Sequence, residues 1–366
     1  MDRDQLRIAF VRRGYSRSGG AESYLKRLAR GLQSLGHEAQ LITTDEWPED
    51  SDFDRIVRVA GPTPAAFAAA VEAARPNLNC DVLMSLERVW RCDVMRAGDG
   101  IHRAWLQRRD LLARLRRPFN PKHRIVLKLE QSLYGEGGAG RVIANSEMVK
   151  REITSIYGYS ADRVDVVYNG VPLAQFRSTA EERAESRAKF GLRKEDVAVV
   201  FVGSSWERKG LALAIRAVEK IGNPKLRLLV AGRGNELRYR SRYVHFLGEI
   251  ADVTAVYRAG EVFVLPTLYD PFSNACLEAL ASGLPVVTTR TNGFSEVIDD
   301  GMHGSVVEPS ADAVAAAIRY WSDAEPRNAA RDQILERAAQ FDITRNVART
   351  LEVLLRAAAD KYNAVA

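Results

Sequence analysis

Short, nearly unbroken apolar runs punctuate this chain, separated by segments whose apolar residues recur with helical period. Leu6 to Val11 is the first run, and it leads through a loop at Arg12 to Gly20 into Ala21 to Leu35, where Tyr24, Leu25, Leu28 and Leu32 share one helical face. Gly36 closes that helix and the chain re-enters an extended run through Thr43. Further strands are predicted at Arg55 to Val59, Val82 to Ser85, Asp93 to Ala97 and Arg141 to Ser146, with helices at Pro64 to Ala74 and at Glu147 to Tyr157, the latter N-capped by Ser146. Asn169-Gly170 and Pro172 mark a turn, and a domain boundary is placed there.

A second alternating series follows. Strands are predicted at Val197 to Val202, Arg227 to Ala231, Val244 to Phe246, Val262 to Leu265 and Pro285 to Thr288. The helices between and after them are Ala180 to Phe190, Leu211 to Lys220, Ala251 to Arg258, Ser273 to Ala281, Ala311 to Trp321, Asn328 to Ala339 and Arg345 to Tyr362. Strands alternating with helices imply parallel sheets built from right-handed crossovers, so the pattern reads as two α/β halves. The length of 366 residues supports the same division, because one core rarely grows that large.

Composition changes the picture in one place. The net charge is +6, but Arg103, Arg108, Arg109, Arg114, Arg116, Arg117, Lys122, Arg124 and Lys128 stand against the single acid Asp110, so residues 103–128 carry the whole excess. A helix from Arg103 to Arg117 would gather Ala104, Trp105, Leu111, Leu112 and Leu115 on one face, with Arg108 interrupting it and Pro118 ending it. That arrangement suits an anionic membrane surface, with Trp105 at the interface and Arg108 snorkelling. A solvated basic helix is the plainer alternative. Nucleic acid is not expected, since no stacking platform or reader motif accompanies the charge. Cys80, Cys92 and Cys276 are too few and too scattered for a disulfide framework or a zinc site, which suits a reducing compartment. Neither a secretory leader nor a membrane-spanning run is expected, and the expected location is cytoplasmic, peripheral on the inner face of the membrane.

Candidate chemistry lies in the second half. Arg208 and Lys209 precede Gly210 and a helix whose free N–H groups already favour an anion, so the pair reads as a diphosphate clamp acting without a metal. An exposed basic pair at a turn is the alternative. Asp270 and Glu278 enclose seven residues. Asp270 before Pro271 could equally be an N-cap. Glu278 sits among Ala275, Cys276, Leu277, Ala279, Leu280 and Ala281, so a buried carboxylate is expected that needs donors such as ribose hydroxyls, or else an internal partner. Gly19 and Gly20, with Gly14 and Arg17, form a small-residue loop able to meet phosphate, or a plain tight turn; this loop after the first strand lacks G-x-G-x-x-G, which counts against a nicotinamide enzyme. Asp99, between Gly98 and Gly100, could stabilise a developing positive sugar or orient an acceptor hydroxyl, with an Asp-Gly turn as the alternative and His102 a weaker candidate base. Asp50, Asp52 and Asp54 imitate a D-x-D metal motif but read as solvated surface.

With these residues in order, the chain resembles the retaining GT-B glycosyltransferases of family 4, and within them the enzymes that add the first glucose to lipopolysaccharide inner-core heptose. The similarity is carried by Gly19-Gly20-Ala-Glu22, Asn169-Gly170, Phe201-Val-Gly203 through Arg208-Lys209-Gly210, and Tyr269 to Pro285. It implies two Rossmann-like domains with parallel sheets facing across a cleft and a C-terminal helix crossing back to the first. Residues 1–168, completed by 345–366, would bind acceptor, and residues 169–344 would bind nucleotide sugar. It further implies that Glu278 holds the ribose, that Arg208 and Lys209 hold the diphosphate, and that the backbone of Phe272, Ser273 and Asn274 meets the sugar hydroxyls. Asp270 replaces the first Glu of the family's E-x7-E signature. The expected reaction is hexose transfer, with glucose the expected sugar, from a UDP-sugar to a lipid-linked glycan, needing no cofactor or metal. The alternatives are a nucleotide-sugar epimerase of the same architecture, a transferase acting on an exopolysaccharide or glycolipid, and a non-catalytic binding protein.

Overall fold

The computed structural model describes residues 5–16, 20–49, 52–108 and 121–365. The chain divides into two compact units, residues 1–168 with 343–366, and residues 169–342.

The first unit is built on strands β1 (Arg7–Val11), β2 (Glu38–Thr43), β3 (Arg55–Arg58), β4 (Val82–Ser85), β5 (Cys92–Arg96), β6 (Ala139–Ala144) and β7 (Val164–Val166). All pairs are parallel, in the order β3-β2-β1-β4-β5-β6-β7. Helices cover the sheet, which explains why β1 and β4 are buried along nearly their whole length and read as continuous apolar runs. Helix Ile343–Val365 belongs to this unit and packs on helix Gly20–Ser34 and on β4, β5 and β6. Val347, Val353, Leu354 and Ala357 enter the core beside Leu25, Leu28 and Leu32. The two helices meet so closely at Gly31 that a Cβ there would lie 2.6 Å from Val347 Cγ2. Lys361–Asp93 (3.0 Å), Arg356–Asp165 (2.8 Å) and Arg141–Asp360 (2.7 Å) fasten its exposed side.

The second unit holds strands β8 (Val197–Val202), β9 (Leu226–Ala231), β10 (Val244–Gly248), β11 (Val262–Leu265), β12 (Val286–Thr289) and β13 (Gly304–Val307), again all parallel, in the order β10-β9-β8-β11-β12-β13. In both sheets the chain winds outward in one direction, returns to the centre and winds outward in the other. The reversal falls between β1 and β4 in the first sheet and between β8 and β11 in the second, and loops leaving such neighbouring strands diverge to open a crevice at their carboxyl ends.

Several boundaries differ from expectation. Helix Pro121–Leu133 and strand β13 had no counterpart in the sequence reading. The last two helices begin earlier than expected, at Ala324 and Ile343, and Pro326 is tolerated in the first turn because its missing N–H has no intrahelical acceptor there. Among the described residues no helix is long and apolar enough to cross a membrane.

Candidate functional site

β8 hands the chain to a turn that glycine makes possible. Gly203 has φ +145°, and a Cβ on it would lie 2.6 Å from Lys209 Cδ; Gly210 has φ +77°, and its Cβ would lie 2.0 Å from the Pro266 carbonyl oxygen. Ser205, at φ 59°, is the sole positive-φ residue other than glycine among those described, a conformation that costs on the order of 1 kcal/mol. The turn is anchored from below by the buried Trp206, whose indole N–H donates to the Gly203 carbonyl at 2.9 Å and whose ring stacks on Phe246 at 5.3 Å. Lys209 therefore lies back across Gly203, and Gly210 starts helix Leu211–Ile221.

The loop leaving β11 closes on this turn. Leu268 N–H and the Thr267 hydroxyl both donate to the Arg208 carbonyl at 2.8 Å, and the Arg208 guanidinium donates back to the Tyr269 carbonyl at 2.8 Å. Asp270 completes the join, with Oδ2 3.0 Å from Lys209 Nζ and 3.5 Å from Arg208 Nη1. Burial pushes the Asp270 carboxyl up, but Lys209, Arg208 and the Phe272 backbone N–H outweigh it and hold the group below its ordinary value. Asp270 is thus an ionised partner of the two cations and not a helix cap. The cap is Ser273, which accepts from Cys276 N–H at 3.4 Å as helix Asn274–Ala281 begins. The triad keeps a net charge of +1, and one carboxylate cannot absorb the five N–H donors of Arg208 and the three of Lys209.

Residues Phe272 to Asn274 are fixed from both sides. The fully buried Asn292 accepts from Ser273 N–H at 3.3 Å and donates to the Thr288 hydroxyl at 3.0 Å, while Asn169 donates to Asn274 Oδ1 at 2.6 Å. Glu278 departs from the expected burial. The apolar positions Cys276, Leu277, Ala279, Leu280 and Ala281 are buried, whereas Asn274, Ala275 and Glu278 share a partly open stripe at helical spacing. Its carboxylate accepts from the Tyr257 hydroxyl at 2.9 Å, and burial together with Glu278 pushes that hydroxyl well up, so Tyr257 remains a donor. Burial pushes the Cys276 thiol up to about 12, which removes it as a nucleophile at neutral pH.

The reversal point of the first sheet carries its own charge cluster. Arg12 leaves β1 and meets Glu22 at 3.1 Å, Glu87 from the loop after β4 at 3.7 Å, and Asp99 from the loop after β5 at 3.4 Å. Surrounding protein pushes the Asp99 carboxyl up, but Arg12 and Arg88 more than offset this, and the group lies below its ordinary value with 49% of its side chain open to solvent. Burial pushes Glu87 up. Behind them Arg88 pairs at 2.9 Å with the fully buried Glu130, which also accepts from the backbone N–H groups of His102 and Arg103 and from the Tyr157 hydroxyl. The sequence reading singled out Asp99 but neither Arg12, Glu87 nor Glu130. Strand-end position is the available signal for Arg12 and Glu87; nothing local marks Glu130.

The remaining candidates fall elsewhere. Gly20 is the first residue of its helix, while Gly19 and Arg17 lie outside the described residues. Asp52 is not solvated surface: it is buried and paired with Arg30, whose Nη2 is 2.9 Å from Oδ2; Asp54 accepts from Ala39 N–H, and Asp50 lies outside the described residues. Arg108 does not snorkel, because Glu152 holds it at 2.7 Å. Arg109, Leu111, Leu112, Arg114, Leu115, Arg116 and Arg117 lie outside the described residues. His102 Nε2 is 3.0 Å from His123 Nδ1. Among the described residues no cluster of three or more His, Cys, Asp or Glu side chains is placed to hold a metal.

Comparison with known proteins resolves what this geometry belongs to. Residues 18–175 match the profile described as Glycosyltransferase Family 4, and residues 196–323 match Glycosyl transferases group 1. A Burkholderia thailandensis protein named "probable transglycosylase" is 30% identical over 368 aligned positions, covering 94% of this chain and 96% of its own. The chain belongs to the family-4 glycosyltransferases. An uncharacterized glycosyltransferase of Methanocaldococcus jannaschii is 33% identical over 199 residues, 50% of this chain and 51% of its own length, so the alignment spans about half of that relative. Among solved structures, WaaG, a glycosyltransferase involved in lipopolysaccharide biosynthesis, superimposes with TM-score 0.82 at 20% identity, covering 95% of this chain and 99% of its own. Anabaena HepE in complex with UDP-glucose superimposes with TM-score 0.72 at 19% identity, covering 95% and 100%. Both show that this family-4 glycosyltransferase has the GT-B fold.

Proposed function

We propose that this glycosyltransferase moves a hexose, with glucose the sugar it favours, from a UDP-sugar to a lipid-linked glycan such as a lipopolysaccharide inner core at the cytoplasmic face of the membrane, with retention at the anomeric carbon. The observation that carries the reading is the join between the β8 and β11 loops: Arg208 and Lys209 are steered by Asp270 at the reversal point of the second sheet, where an α/β fold receives phosphate-bearing ligands. Residues 169–342 are the donor-binding unit in this reading, and residues 1–168 with 343–366 the acceptor-binding unit. The lipopolysaccharide role named for WaaG and the UDP-glucose bound to HepE support the choice of acceptor and donor.

Each residue then has a task. Arg208 and Lys209 hold the diphosphate and take up the charge that grows on it as the bond from the sugar's anomeric carbon to the phosphate oxygen breaks. Glu278, kept in place by Tyr257, accepts from ribose hydroxyls. The backbone of Phe272, Ser273 and Asn274 meets the sugar hydroxyls, and its rigidity comes from Asn292 and Asn169. Asp99, ionised beside Arg12, orients the acceptor hydroxyl that forms the new bond. Backbone N–H groups of Gly19 and Gly20 meet phosphate. Residues 103–128 hold the protein to anionic lipid.

UDP release from UDP-glucose, with a heptose-containing core lipid as acceptor, tests the reading. Lys209→Ala and Glu278→Gln are each expected to lower turnover by at least 100-fold, and turnover in either variant equal to the parent would remove the mechanism. An epimerase would instead change the sugar with no acceptor present.

A further inference from the structure

One cavity of the first unit lies apart from every residue given a task in donor chemistry. It is an open groove of ≈ 580 Å³ lined by Trp90, Arg103, Arg124, Leu127, Lys128, Gln131 and Ser132. The unexpected helix Pro121–Leu133 makes one wall, since Arg124, Leu127, Lys128 and Gln131 fall at i, i+3, i+4 and i+7 and share a face. Helix His102–Arg108 contributes Arg103, and the turn between β4 and β5 contributes Trp90, pinned where the Ser132 hydroxyl donates to its carbonyl at 3.4 Å.

Its chemistry is one-sided. Among the described residues three cations line it and no carboxylate does. The neighbouring Glu130 is fully buried and committed to Arg88, to Tyr157 and to two backbone N–H groups. Arg103 Nε is buried and has no hydrogen-bond partner among the described residues, an unfavourable state for a charged donor. Gathering like charges also costs Coulomb energy that an anion would relieve. Lys128 Nζ stands 5.7 Å from the Trp90 ring, so the cations sit beside a half-buried aromatic face. A lone phosphate would use the cations and leave the ring, Leu127 and Gln131 without a role. A pyranose ring carrying a phosphate uses all of them: C–H groups against the indole, hydroxyls to Gln131 and Ser132, and phosphate oxygens to Arg103, Arg124 and Lys128.

We propose that this cavity is a binding site for a sugar phosphate, so that the acceptor glycan is recognised through a phosphorylated residue next to the one that receives the hexose. The inference rests on the glycosyltransferase reading and on the first unit as the acceptor-binding unit. It differs from attachment to a membrane, because the ligand is a saccharide held by Arg103, Arg124, Lys128 and the Trp90 ring, and attachment to lipid then falls to the rest of the basic tract 103–128.

Calorimetric titration of the full chain at low salt, without nucleotide, tests it using glucose 6-phosphate, glucose, inorganic phosphate and phosphatidylglycerol vesicles as separate probes. Glucose 6-phosphate is expected to bind at least 10-fold more tightly than inorganic phosphate and at least 100-fold more tightly than glucose. The double variant Arg124→Ala/Lys128→Ala, at two exposed positions with its unfolding midpoint measured alongside, is expected to lose at least 10-fold in affinity for glucose 6-phosphate. Trp90→Phe, which keeps an aromatic face, should lose less than Trp90→Ala. Equal affinity for phosphate and glucose 6-phosphate, binding of vesicles alone, or unchanged affinity in the double variant would each overturn the proposal. Lys209→Ala separates the two readings: it should lose UDP binding and keep glucose 6-phosphate binding. Loss of both would place the sugar phosphate in the donor site and overturn the cavity assignment, while an unaltered UDP affinity would count against the donor reading alone.

Discussion

Lys209 Nζ lies 3.0 Å from Asp270 Oδ2 across 61 residues of chain, and this contact joins the turn after β8 to the loop after β11. Its geometry leaves most of the cationic N–H groups of Arg208 and Lys209 available, so the carboxylate positions the clamp without neutralising it.

Replacing Asp270 by Asn is therefore expected to raise the local charge from +1 to +2 and to release Lys209 from its fixed place. Turnover should fall by at least 10-fold while KM for the UDP-sugar does not rise. Asp270→Glu, which keeps the charge, should recover most of the loss. Steady-state kinetics on both variants checks this, and a raised KM with unchanged turnover would contradict it.

The same residue sets a pH dependence. A carboxyl held below its unfolded value contributes stability that is fully present above the unfolded pKa, about 3.9, and is lost as pH falls through the lower folded value. The stability difference between the parent and Asp270→Asn should accordingly be constant above about pH 5 and shrink below about pH 4. Denaturant midpoints measured from about pH 6 down to about pH 3 would show the trend, and a difference that grows toward acid would refute the assignment.

Glu130 has no part in the proposed chemistry, yet it forms a buried ion pair in the first unit. Its carboxylate is fully buried, and Glu130→Ala would leave Arg88 without its partner at 2.9 Å. Removing one member of such a pair costs about 3–5 kcal/mol. Chemical denaturation of Glu130→Ala should show that loss, and a variant as stable as the parent would mean that Arg88 finds compensation in solvent.

Attachment to lipid depends on the basic segment. Reversing Arg109, Arg116 and Arg117 to Glu should lower binding to anionic vesicles by about 1 kcal/mol or more per residue at low salt. Cosedimentation with phosphatidylglycerol vesicles reads this directly, and equal binding would dismiss the anchor.

Both sheets were legible because their strands are covered on two faces and so appear as apolar runs between amphipathic helices. Legibility failed where local pattern is diluted or short. Helix Pro121–Leu133 carries its apolar positions Ile125, Leu129 and Leu133 inside a basic tract, and β13 is four residues long and half-buried. Arg208, Lys209 and Asp270 could be picked out because each lies between a strand end and a helix start, and Glu278 because it is the one acid in an otherwise apolar helical stretch. Their pairing could not: which carboxylate meets Lys209 depends on β11 lying next to β8, a fact of strand order that no window of sequence contains. The same holds for Arg12, whose partners Glu87 and Asp99 lie beyond β4 and β5. Burial of Glu278 was inferred from its neighbours' identity, and the structure opens that one stripe of the helix while burying the rest.

A crystal structure of the protein with a bound UDP-sugar tests the central claim most directly. Diphosphate oxygens are expected within about 3 Å of Arg208 and Lys209, and ribose hydroxyls within about 3 Å of the Glu278 carboxylate. A nucleotide bound with its phosphates away from both cations would contradict the account.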